Sequence, residues 1–304
     1  MSQATTVQQL PESGTRGLLL VFLAGILWST VGLGIRLIED ALVWQILLYR
    51  SVALSLLIYV VIRVRTGQNP FERAYHTGIP GVVGGLSLVA AYAGGIYAIQ
   101  TTSVANAMLL FASAPFMAAI LGLLILREAV QFHTWLAIML ACLGIAVMVW
   151  DKSGGGAMVG NLAALGSAFG FAVFTITLRW GKSGEMLPSV FLSGLFAIPI
   201  MAAICIMLDL PLTLSLRDST IAGCMGIFQV GAGLILYTIG SKTVPAAELT
   251  LVSLAEVVLA PLWVWLVLGE SATFFTLVGG AILLLAIAGN AVMGARRKPP
   301  ITLV

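Results

Sequence analysis

Charge is what this chain most lacks. Asp, Glu, Lys and Arg make up 9% of its 304 residues, against about 25% in an ordinary globular domain, too few to clothe a water-facing surface of this size. The 15 basic residues are scattered over short connections, with no basic face or stripe, which sets a nucleic-acid partner aside. The three cysteines, Cys142, Cys205 and Cys224, lie in apolar runs without CxxC spacing, so they read as small hydrophobes, not as a disulfide framework or metal site. HExxH, GxSxG and paired mid-span aspartates are missing, and with them the usual means of activating water or a nucleophile. No GxxxxGK[ST] loop is present to bind ATP. Rings of like charge or a carbonyl filter, which would mark a channel, are not evident either. No metal and no cofactor is expected.

What remains is apolar. Hydrophobic residues make up 60% of the chain, the mean hydropathy is +1.08, and the natural solvent is a lipid bilayer. A helix needs roughly 17 to 25 mainly apolar residues to cross a hydrocarbon core about 30 Å thick. Ten such runs are expected: 17–35, 44–62, 79–99, 104–125 and 132–150, then 159–178, 188–208, 219–239, 247–267 and 273–293. The fold class is therefore an all-α integral membrane protein. The first run lacks a convincing small-residue cleavage site and reads as a retained helix.

Basic residues orient the set, because cytoplasmic loops retain them. Arg16, Arg63, Arg65, Arg73, Arg127, Arg179, Lys182, Lys242, Arg296, Arg297 and Lys298 fall on one side, while Arg36, Lys152 and Arg217 fall on the other. Both termini are expected in the cytoplasm, in a bacterial inner membrane. The glycines 154–156 beside Asp151 and Lys152 form a flexible linker, giving a first unit at 1–152 and a second at 153–304.

The two units resemble each other. LGLLILREAV and LWVWLVLGESA place Glu128 and Glu270 at matching positions, YAIQTTSVANA matches YTIGSKTVPAA, and Trp28 and Arg36 keep the spacing of Phe171 and Arg179. Five helices per unit, an odd number, send the second copy into the membrane from the opposite side. The expectation is an inverted repeat around a central cavity, the plan of secondary transporters that work by alternating access.

The segments LWSTVGLGIRL, LLYRSVALSLL, NAMLLFASAPFMAAILGLLILRE and LTLVSLAEVVLAPLWVWLVLGE resemble the repeat signatures of the EamA family in the drug/metabolite transporter superfamily, most like amino-acid exporters of the YddG type. The resemblance implies four core helices from each half around a cavity, with the fifth and tenth helices outside it, and a monomer or homodimer. It implies export of aromatic and other hydrophobic amino acids; a drug, vitamin or other metabolite is the alternative cargo. One departure is visible. The second copy carries Glu256-Val257 where the family has Glu-Pro, so the proline break of the ninth helix is missing or moved to Pro261.

Within the spans, two ionisable residues are costly enough to be functional by default. Glu256 is a candidate to attract a substrate ammonium or to carry a coupling proton. Arg50 is its candidate ion partner or a carboxylate-binding group, a structural ion pair being the alternative. Helical spacing puts Ser253, Glu256 and Trp263 on one face of the ninth helix, and Trp28, Tyr92, Phe111, Phe171 and Gln229 are further lining candidates for small-molecule substrates. Glu128 and Glu270 read as solvated or loop-capping carboxylates.

Overall fold

A computed structural model describes residues 12–150, 155–181, 187–240 and 246–295, with side chains described in 16–150, 158–181, 187–240 and 255–293. Residues 151–154, with the proposed boundary after residue 152, the basic residues Lys152, Lys182, Lys242 and Arg296 to Lys298, and the Ser253 side chain lie outside the described residues, while Gly155 and Gly156, expected in a flexible linker, instead begin a helix.

Helix is the only regular structure among the described residues, as a lipid-exposed backbone requires when it must satisfy its own polar groups. The elements are α1 (Glu12–Ser29), α2 (Val31–Arg36), α3 (Val43–Thr66), α4 (Pro70–His76), α5 (Gly78–Thr101), α6 (Val104–Phe111), α7 (Ala114–Leu126), α8 (Phe132–Trp150), α9 (Gly155–Trp180), α10 (Leu187–Met207), α11 (Leu216–Cys224), a π-helical segment (Met225–Ala232), α12 (Gly233–Gly240), α13 (Ala246–Leu268) and α14 (Phe274–Ala295). Among the described residues, nine helical stretches are long and apolar enough to span a bilayer, and Ala255–Leu268 is the shorter apolar part described for α13. With the 23-residue α13 the spans number ten.

Three spans depart from a single regular α-helix, two of them for a local reason. α1 and α2 make up the first span, and the hydroxyls of Ser29 and Thr30 turn back onto the carbonyls of Ile26 and Leu27 at the break, a competition that bends helices. α6 and α7 form the fourth, divided just before Pro115, whose ring cannot coexist with a straight helical path through Phe111. The eighth span widens into its π-helical segment between α11 and α12. Pro261 produces no such division, since α13 runs through it as α10 runs through Pro199; the family's proline break in the ninth helix is thus missing and not relocated. The short amphipathic α4, started by Asn69 accepting from the Phe71 N–H, was not legible as a separate helix.

Packing places the spans in a closed ring of eight. Around it, α1 meets α12 and the π-helical segment, that segment and α11 meet α3, α3 meets α10, and α10 meets α5. From there α5 meets α9, α9 meets α6 and α7, α6 meets α13, and α13 returns to α1. Exchanging the first four spans of one half for those of the other maps this ring onto itself, which is the packing signature of an inverted repeat. α8 and α14 pack on each other outside the ring, joined to it through α6 and α13.

Small residues make the closest approaches, as expected where no hydrophobic drive acts between helices. A β-carbon at Gly170 of α9 would lie 2.8 Å from the Ser87 carbonyl oxygen on α5, and one at Gly94 would lie 2.9 Å from that of Ala163. Gly144 and Gly279 bring α8 and α14 together in the same way, each facing the other's carbonyl. Of the cysteines, Cys205 is buried, while Cys142 and Cys224 are exposed, two apolar thiols on the surface and not in the core.

Candidate functional site

The candidate residues are spread over seven of the eight spans of the ring. Trp28 sits on α1, Arg50 on α3, Tyr92 on α5, Phe111 at the end of α6, Phe171 on α9, Gln229 on the π-helical segment, and Glu256 and Trp263 on α13. Trp28, Tyr92 and Phe171 pack as half-buried rings against a single apolar cluster that includes Leu54, Leu88, Phe174 and Val230. Phe111 joins them edge-on to Phe171, with centroids 5.6 Å apart, and Trp28 lies 5.3 Å from Tyr237 on α12. These contacts link aromatic rings from four non-consecutive spans, an arrangement that only the fold could create.

Glu256 lies mid-span on α13. Helical periodicity puts it on the side of Val257, Ala260 and Val264, all buried, and opposite the exposed Val258, Leu262 and Trp265. It faces the protein and not lipid, yet it remains partly accessible. Among the described residues it has neither an ion pair within 4 Å nor a hydrogen bond. Trp263, on the same helix, donates its indole N–H to Ser29 Oγ at 2.9 Å, so it ties α13 to the break between α1 and α2.

Arg50 is 3% exposed. Its guanidinium carbon lies 4.6 Å from the Tyr92 ring centroid, within the range of a cation–π contact. Arg50 Nη2 and Gln229 Oε1 are buried without a hydrogen-bond partner among the described residues. An ion pair between Arg50 and Glu256 is not formed. α3 and α13 are not neighbours in the ring, and each charge is left to itself.

Sequence reading missed the strongest polar feature. Arg36, at the end of α2, meets Glu270, just beyond α13, through Nε and Oε2 at 2.8 Å, and its Nη2 donates to the Thr102 carbonyl at 2.8 Å. Glu270 Oε1 also accepts the Val104 N–H at 2.8 Å, capping α6. At the other membrane face Arg179, at the end of α9, meets Glu128, beyond α7, at 2.6 Å. The sequence suggested solvated or loop-capping carboxylates; Glu270 does cap a helix, and both glutamates also bind the arginine of the opposite half. Their matching positions in the repeat were the available signal, but a repeat shows equivalence and not contact.

The two pairs differ in their surroundings. Side chains of the Arg36–Glu270 pair are each 26% exposed, those of Arg179 and Glu128 53% and 42%. The Arg36 face carries further ties between the halves: Asp218, at the start of α11, accepts the N–H groups of Glu39, Asp40 and Ala41, Gln45 donates to the Pro211 carbonyl, and Asn106 pairs with Asn161. Among the described residues, that face is the more heavily bonded one.

A concavity of about 650 Å³ lies elsewhere, between α3 and the stretch from Leu212 to Ile227. Its lining includes the exposed Val52, Leu56 and Val60 and none of the candidate residues, so it opens on the apolar outer surface. No cluster of His, Cys, Asp or Glu that could hold a metal ion occurs among the described residues.

A ring of eight membrane spans built from two repeats, with aromatic side chains packed between them, is the architecture of a membrane transporter. The chain belongs to the EamA-like transporter family, whose model matches it twice, over residues 15–150 and 158–292. A solved structure described only as "Crystal structure of protein" matches with a TM-score of 0.67 and 18% identity, covering 92% of this chain and 99% of that one; at that identity the likeness attests to the fold alone. No curated protein matches this chain.

Proposed function

We propose that this transporter is a secondary carrier that exports aromatic and other hydrophobic amino acids from the cytoplasm, across a bacterial inner membrane, by alternating access. The observation that carries the reading is Glu256, a partly accessible carboxylate on the interior face of α13, with no protein partner among the described residues. An unpaired intramembrane carboxylate is too costly to be retained as scaffold and suits a substrate ammonium. Trp28, Tyr92, Phe111 and Phe171 supply the apolar surface that a hydrophobic side chain prefers. The basic-residue bias puts the face where α1 begins in the cytoplasm.

Alternating access draws support from the two Arg–Glu pairs. They occupy equivalent positions in the repeats and opposite faces of the membrane, one more buried than the other, as two gates in unlike states would be. Uptake of labelled Phe, Trp, Met and Thr into proteoliposomes tests the proposal. Saturable uptake that needs no ATP supports a secondary amino-acid carrier, and its loss in Glu256→Gln puts the carboxylate in the mechanism. No uptake of any amino acid above empty liposomes overturns it in favour of another metabolite.

A further inference from the structure

Arg50 is a buried cation without a counter-ion. Among the described residues it makes no hydrogen bond and no ion pair, and its one assigned contact is the Tyr92 ring. Asp218 is engaged by three backbone N–H groups, Glu39 by Arg217 and Glu270 by Arg36, and Glu256 stands on α13, which does not neighbour α3. Buried charges are normally paired, and an uncompensated one is strongly unfavourable. A ring face holds a guanidinium in place but does not neutralise it or fill its in-plane donors.

The repeat argues against a scaffold role. The spacing that relates Trp28 to Phe171 and Arg36 to Arg179 relates Arg50 to Ser193, whose hydroxyl donates within its own helix to the Val190 carbonyl. The second half thus builds the same span, equally buried at that position, without a cation. Arg50 also lies where the π-helical segment presses on α3, with Gly226 backed against the Arg50 carbonyl, and Gln229 of that same segment has an unpartnered Oε1 among the described residues.

We infer that Arg50 is a specificity-determining residue that receives the carboxylate of the substrate, so that Arg50 and Glu256 together select α-amino-acid zwitterions over amines and alcohols of the same shape. The inference rests on the proposed amino-acid transport and assigns the group that reads the acid. A carboxylate matches the two-pronged donor geometry of guanidinium, which a lysine ammonium does not reproduce. Tyr92 acts as a positioning residue, aiming the guanidinium by contact with its flat face.

The test is competition against labelled Phe uptake in proteoliposomes, with unlabelled Phe, phenethylamine (no carboxylate) and phenylalaninol (alcohol in its place) as competitors. The wild type is expected to favour Phe over both by at least about tenfold. Arg50→Gln is expected to raise KM for Phe by at least about tenfold and bring the three competitors towards parity, and Arg50→Lys to fall between. Equal competition by phenethylamine and Phe at the wild type overturns the inference without any variant. Discrimination unchanged in Arg50→Gln or Arg50→Lys overturns it too, while leaving amino-acid transport standing. Absence of wild-type Phe uptake removes the proposed function and this inference with it.

Discussion

Arg36 and Glu270, separated by 234 residues in the chain, are joined by two contacts of 2.8 and 3.3 Å, and the pair is locked further by the Thr102 carbonyl and the Val104 N–H. Four groups from the first, third, fourth and ninth spans therefore meet at one point on one membrane face. Arg179 and Glu128 repeat the pairing on the other face with a single bond.

The two pairs should differ in weight. Arg36→Ala strands a partly buried carboxylate and the Thr102 carbonyl, and is expected to lower stability in detergent by about 1–3 kcal/mol, the usual cost of leaving such a group unsatisfied. Arg179→Ala, at an exposed pair, should cost no more than about 1 kcal/mol. Thermal unfolding of both variants beside the double variant Arg36→Glu/Glu270→Arg checks the difference, with partial recovery expected from the exchange.

Glu256→Gln keeps the shape and removes the charge. Because the carboxylate has no ion pair or hydrogen bond among the described residues, the substitution should leave the unfolding temperature unchanged or slightly raised. Transport should fall at least about tenfold. A large loss of stability with transport retained per folded molecule would mark Glu256 as scaffold.

Asn161→Ala tests a buried amide pair. Asn106, 5% exposed, donates its amide N–H to Asn161 Oδ1, and removing that acceptor leaves the donor with Thr102 Oγ1 alone. A loss of about 1–3 kcal/mol is expected, the range for an unsatisfied buried polar group, read by denaturant or thermal unfolding.

Gly170→Leu should be among the most damaging single changes. Its β-carbon would stand 2.8 Å from the Ser87 carbonyl oxygen and 3.1 Å from the Ala91 amide nitrogen, backbone atoms that cannot rotate away. Overpacking of about 1–3 kcal/mol or more is expected. Gly166→Leu, where nothing lies within 4 Å, is the control, and the comparison of folded yields decides the matter.

How far the sequence carried the fold depended on the kind of signal. Apolar run length is a property of each segment alone, so the spans could be placed to within a few residues. The equivalence of Arg36 with Arg179, and of Glu128 with Glu270, was likewise legible. That each arginine binds the glutamate of the other half was not, since it depends on how α2 meets the end of α13. The π-helical segment was equally hidden, because Met225 to Ala232 have no composition that separates them from ordinary helix. Trp28, Tyr92, Phe111 and Phe171 could be nominated as large rings in core spans. Their convergence needed the ring of helices, and the expected Arg50–Glu256 ion pair failed because sequence depth fixes height in the membrane but not azimuth around the ring.

The π-helical segment has a consequence for energetics. If the two halves were identical in sequence and geometry, the two facing conformations would be related by the membrane-plane axis and would have the same free energy, a degenerate pair populated equally when empty. Residues 225–232 carry this widened winding, while the corresponding stretch of α5 is regular helix. Under the alternating access proposed above, that departure lifts the degeneracy and gives the unloaded carrier a preferred resting orientation set by its own backbone.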